Sequence, residues 1–183
     1  MNGPLPQPEW PIIVISAENT FLHLGRDLRG LQNHMYEDAV VARNWDEKRA
    51  ARVRPVTLEF FDSDGKVLEP MPLRGWVPTG FRFAERGEAV RPSELLERMA
   101  TIVQDAHTSQ IALQISALGE VTPSEQQRLE LTYAVPSPAD GDTVATFATT
   151  LLNHPAYAGR PRGPADPGDT GGWMHNLMHA TFG

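Results

Sequence analysis

The sequence predicts an α+β protein, a mainly antiparallel sheet of about five to seven strands with three or four helices packed on it. Three observations lead there. Apolar residues recur at helical spacing around Leu28, Leu95 and Val144. Short runs with period-2 alternation, such as Val56–Phe60 and Ile111–Ala117, recur between them. Asp62-Ser63-Asp64-Gly65 separates two such runs and reads as a hairpin turn. With 183 residues and no cysteine, one domain over residues 1–183 is expected, held by its apolar core without disulfides or zinc-thiolate sites.

Residues 1–10 carry Pro4, Pro6 and Pro8 and predict an irregular lead-in. Pro11 to Ser16 is continuously apolar until its last residue, the pattern of a buried strand. Leu24, Leu28, Leu31 and Met35 then predict a helix over 26–36, although Gly25 and Gly30 each weaken it by about 1 kcal/mol relative to alanine. Residues 37–54 fit either a short strand at Ala39–Ala42 or more helix. Val56, Leu58 and Phe60 form a strand that returns at Val67-Leu68 through a type I′ turn, whose central residues both need positive φ. Asp62 and Asp64 also resemble the start of a calcium loop, but the remaining ligand series is missing. Pro70, Pro72 and Pro78 impose an extended, edge-like path through Trp76 to Phe83.

The clearest pattern runs from Arg91 to Val135. Pro92 and Ser93 suit a helix start, and Glu94 and Glu97 suit its positive end. Leu95, Leu96, Met99, Ile102, Val103 and Ala106 make one stripe. Beyond Ser109 the alternation of Ile111, Leu113, Ile115 and Ala117 predicts a strand, 119–127 a turn, and Leu129 to Val135 a second strand. The expectation is an antiparallel pair covered on one face by the helix. Residues 136–141 form a loop, and Asp142 or Thr143 caps a helix with the stripe Val144, Phe147, Ala148, Leu151 and Leu152, stopped by His154-Pro155. Residues 158–172 read as a Gly/Pro-rich linker, and 173–182 as a short terminal helix.

The net charge of −7 and pI near 5.3, with both signs scattered, argue against nucleic-acid binding. The basic cluster Lys48, Arg49, Arg52 and Arg54 beside Trp45 is interrupted by acids and reads as a solvated helical face. The first residues lack a basic n-region, and Ile12–Ile15 is too short for a signal or a membrane span. These features lead to an expectation of a cytoplasmic protein without a membrane partner. Neither a dinucleotide fingerprint nor a phosphate loop occurs, and there is no serine nucleophile elbow.

Two places could carry function. In the tail, His175 and His179 are four apart and would point to one side of a helix, able to grip a divalent transition metal with His154 or Asp169. The glutamate of the H-E-x-x-H motif is absent. The competing expectation, and the preferred one, needs no cofactor. Here the tail is a contact element that lays Trp173, Leu177 and Met178 into another protein or a second copy of the chain. Removing 170–183 would then abolish the complex while hardly moving the thermal midpoint. The second place is His34 with Glu37, a weaker candidate for a histidine base oriented by a carboxylate. The chain is thus expected to be an acidic interaction or accessory protein, with a histidine- or metal-dependent enzyme as the alternative.

Overall fold

The computed structural model describes residues 7–35, 58–72, 81–158 and 173–174. It is an α+β fold built on a five-stranded antiparallel sheet in the order β2-β1-β3-β4-β5. The strands are β1 (Ile12–Ser16), β2 (Leu22–Gly25), β3 (Leu58–Phe61), β4 (Lys66–Pro72) and β5 (Phe81–Ala89). The helices are α1 (Leu28–Met35), α2 (Pro92–Leu118), α3 (Pro123–Thr132), α4 (Val144–Asn153) and the short α5 (Pro155–Ala158). Five helices among the described residues exceed the three or four expected.

Every residue of β1 is buried. Alternate side chains leave opposite faces of a strand, so the run is apolar throughout because both faces are covered. The register puts Ile13, Leu24 and Phe61 on one face with Ile15, Leu22 and Glu59. Helix α2 lies there: Arg98 donates to Glu59 at 2.6 Å and sits 5.6 Å above the Phe61 ring. The opposite face carries Val14, His23, Phe60 and Leu68, with the Phe60 and Phe83 rings 5.8 Å apart. Helix α1 reaches that face at Gly25, where an added Cβ would stand 3.0 Å from the Leu31 side chain.

Strand β2 corrects the first helical expectation, because Leu24 belongs to a strand and not to the helical stripe. Ser16 makes the turn that allows it, its hydroxyl accepting from the amides of Thr20 and Phe21 at 2.9 and 3.1 Å. The helix begins later, where the Asp27 carboxylate accepts from the Gly30 amide at 2.7 Å. The ambiguous segment 37–54 lies outside the described residues.

The Asp62–Gly65 hairpin forms, but not with the expected turn. Ser63 and Asp64 keep negative φ and Gly65 alone is left-handed at +83°. The Gly65 amide donates to the Asp62 carbonyl at 3.0 Å, and the Asp62 amide donates to the Lys66 carbonyl at 3.0 Å. This is the three-residue loop in which a β-turn is followed by a left-handed glycine. The buried Asp62 carboxylate accepts from the amides of Asp64 and Lys66 at 3.0 and 2.9 Å, so it organises the turn. Pro70 and Pro72 lie past the end of the β3 pairing, where a ladder donor on that side is not needed. Strand β5 continues beyond Phe83 to Ala89, with an irregularity opposite Lys66–Leu68 and Gly87 at φ +74°.

The largest correction concerns residues 109–135. There is no strand pair; α2 continues unbroken to Leu118 and α3 occupies Pro123–Thr132. Ile111, Leu113, Ile115 and Ala117 fit a two-residue period, yet nothing between Pro92 and Gly119 breaks a helix. Ala112, Leu113, Gln114, Ala117 and Leu118 are strong helix formers. Helix formation costs least once a helix is already propagating. The helix stops at left-handed Gly119, φ +83°. Thr122 and Glu125 then form a reciprocal capping box with Pro123 in the first turn. The Glu125 carboxyl is held below its usual range by the Thr122 hydroxyl and backbone amide.

Helix α4 follows expectation: Thr143 caps it, and Val144, Phe147, Ala148, Leu151 and Leu152 are its buried stripe. It packs on α2 and carries α5 along the free edge of β2. There the Tyr157 hydroxyl accepts from the Leu24 amide at 2.7 Å, closing an edge donor that β1 cannot reach. Arg26 ties the same corner by donating to the Leu152 carbonyl and to Asn153. Tyr157→Phe should cost about 1–3 kcal/mol by leaving a buried amide without this acceptor, measurable by urea unfolding. Burial also pushes the Tyr157 phenol above its ordinary value of 10.0. The unfolded chain's phenol ionises near pH 10 while the folded one resists. That stability is therefore complete below about pH 10 and lost as pH rises above it. The alkaline limb of a stability–pH curve should be shallower in Tyr157→Phe.

Candidate contact surface

On α2, Leu95, Met99, Ile102 and Ala106 lie on one stripe that packs into the core. At 3.6 residues per turn the same stripe runs on through Leu113 and Ala117. Leu113 is 54% exposed and Ala117 is also exposed. The helix therefore carries its apolar face past the end of the body it covers. On its other side, Ile111 is buried and Ile115 half-buried, while Leu118 is 59% exposed. Helix α3, joined to α2 through residues 119–122 as a helical hairpin, touches α2 but contributes no buried residue, and its Leu131 is 74% exposed.

Charge makes the surface unusual. Ala106 to Gly119 contains no Asp, Glu, Lys or Arg. Thr143 to Ala158 is likewise uncharged, and there α4 and α5 bury most of their apolar side chains. The outer half of α2 thus has the composition of a buried helix and the exposure of a surface one. Ordinary surface helices put charges on the face turned to water.

The hairpin is anchored at its base. Tyr133, at the end of α3, meets Trp173 edge-to-face with ring centroids 5.5 Å apart. Trp173 and Val135 pack against the core cluster, and Met174 is fully buried within it. The start of the tail is thus a wedge in this chain's own core. Leu177, Met178, His175, His179 and Asp169 lie outside the described residues, as does Glu37. His34 lies in α1, with its side chain outside the described part.

His154 forms the C-cap of α4, and its Nδ1 accepts from the Ala156 amide at 3.2 Å, starting α5. His23 is buried in β2, stacked on Phe21 at 6.5 Å. His107 is on α2, its Nδ1 3.3 Å from Gln104 Nε2. Among the described residues, no three histidine, aspartate or glutamate side chains come close enough to share a metal ion. No helix there is long and apolar enough to cross a membrane. Sequence reasoning missed Leu113, Leu118 and Leu131 as surface residues. The available signal was the charge-free run continuing a helical stripe without Gly or Pro. Comparison with protein-family models, curated proteins and solved structures found no match.

Proposed function

We propose that this chain is a protein-interaction module whose contact surface is the outer half of α2 together with α3. The observation that carries this reading is the core stripe of α2 running on, uncharged and exposed, through Leu113 and Ala117. Contact surfaces are depleted of charge at their centre, and Leu113, Leu118 and Leu131 are large apolar side chains left exposed on these two adjoining helices. Trp173, at the start of the tail, supports the end of α3 through its contact with Tyr133.

The test is the native size of the chain in extracts of its own cells. The wild type should run larger than its 20.2 kDa mass. The double variant Leu113→Glu/Leu131→Glu should run at that mass, with a thermal midpoint within about 2 °C of wild type, since surface substitutions away from structural features cost little. A wild type already at monomer size, or a variant unchanged in size, would refute the reading.

A further inference from the structure

We propose that Asp140 is a site of spontaneous isomerisation to isoaspartate in the folded chain, and that Asp64, in the same dipeptide, is protected. Asp-Gly occurs twice, at Asp64-Gly65 and Asp140-Gly141. With no Cβ on the glycine, its amide nitrogen can approach the preceding carboxyl closely. The nitrogen gives up its proton and bonds to the side-chain Cγ of the neutral carboxyl. One water leaves, closing a five-membered succinimide. Water then adds back. Opening at Cγ restores aspartate; opening at the main-chain carbonyl leaves isoaspartate, its chain routed through Cβ and Cγ and one atom longer. Water is the only co-reactant. The step needs an attacking amide that is not held as a donor and a carboxyl free to turn onto it.

The β-turns put the two pairs in different registers. At Asp62–Gly65 the glycine is the last residue of the turn, so its amide is the donor that closes it, 3.0 Å from the Asp62 carbonyl. Gly65 is buried, its carbonyl accepts the Val90 amide at 2.9 Å, and the Asp64 amide donates to the Asp62 carboxylate at 3.0 Å. The attacking nitrogen there is engaged and its backbone is pinned. At Ala139–Asp142 the dipeptide supplies the two central residues. Gly141 has φ +86° and Asp140 a negative φ, as in a type II turn. The Asp142 amide donates to the Ala139 carbonyl at 3.0 Å, and the Ala139 amide donates to Asp142 Oδ2 at 2.7 Å. Both bonds bypass the central peptide. Among the described residues neither the Asp140 carboxylate nor the Gly141 amide has a hydrogen-bond partner, and both residues are exposed.

The lengthened chain acts on what this turn holds. Asp142 also accepts from the Thr146 hydroxyl at 3.0 Å, and Thr143 beside it caps α4. An extra main-chain atom between Ala139 and Asp142 changes the spacing of these bonds, so isomerisation loosens the start of α4.

The test is incubation of the full-length chain at neutral pH in water enriched in heavy oxygen, followed by peptide mass spectrometry with fragmentation that distinguishes isoaspartate. The folded wild type should accumulate isoaspartate at 140, with one heavy oxygen taken up, and none at 64. In urea both sites should react. Asp140→Glu keeps the charge but would have to close a slower six-membered ring, so its position 140 should stay unchanged. Aged wild type should then melt below aged Asp140→Glu. No isoaspartate at 140 in the folded chain, or equal amounts at 64 and 140, overturns the proposal. Asp64 staying inert in urea overturns the role given to the turn register. An isomerised chain that melts like Asp140→Glu overturns the link to α4.

Discussion

Gly65→Ala should lower stability by about 3 kcal/mol, a fall of about 6–12 °C in the thermal midpoint for a chain of this size. Two costs combine. Gly65 has φ +83°, where a Cβ costs about 1–2 kcal/mol. A Cβ there would also stand 2.4 Å from the Val90 carbonyl oxygen. That carbonyl is backbone and cannot swing aside. Gly65 O also accepts the Val90 amide at 2.9 Å, so relieving the clash breaks the joint between the β3–β4 turn and the entry to α2. Gly119→Ala supplies the control. Its φ is also +83°, but nothing lies within 4 Å of the added atom, so only the conformational cost of about 1–2 kcal/mol should appear. Equal losses in thermal melts of the two variants would show that the close approach to Val90 is unimportant.

Removing residues 173–183 should destabilise the chain by about 4 kcal/mol, contrary to what a freely docking tail would give. Met174 is fully buried in the core, and emptying such a site costs about 2–5 kcal/mol. Losing the edge-to-face pair of Trp173 and Tyr133 adds about 1 kcal/mol. Met174→Ala, which leaves Trp173 and the rest of the tail in place, should recover most of the effect. An unchanged urea midpoint in both variants would show that the tail is not part of the core.

The parts of the fold that could be read from sequence are those where one signal had no rival. β1 is apolar on both parities, and α4 has a single stripe behind a threonine cap; both form where expected. Asp62–Gly65 shows the next level of difficulty. Asp-Gly marks the turn correctly, but the Asp62 side chain adds hydrogen bonds to two later amides and changes its type. Residues 111–118 failed for another reason. Ile-Ala-Leu-Gln-Ile-Ser-Ala-Leu satisfies a period of two and a period near 3.6 together. The unbroken helix upstream, and the capping box at Thr122 downstream, decided between them. β2 was hidden because Leu24 fits the stripe of the helix that follows it.

The proposed contact surface was hidden by the same ambiguity. Leu113 and Leu131 count as inward residues if they alternate on strands, and become exposed only when both segments are helical. The tail residues chosen as contact elements split at Met174: the first turn is core, and Leu177, Met178, His175 and His179 lie outside the described residues. No sequence pattern distinguishes a greasy turn that wedges into its own domain from one that seeks a neighbour, because both bury apolar area by the same force.

The most direct test is hydroxyl-radical footprinting of the chain in extract of its own cells and again after purification. Leu113 and Leu131 should be protected in extract and become reactive in the dilute purified chain, while Leu95, on the core-facing side of α2, stays protected throughout. Equal reactivity of Leu113 and Leu131 in both would contradict the account of α2 and α3 as a surface that another protein covers.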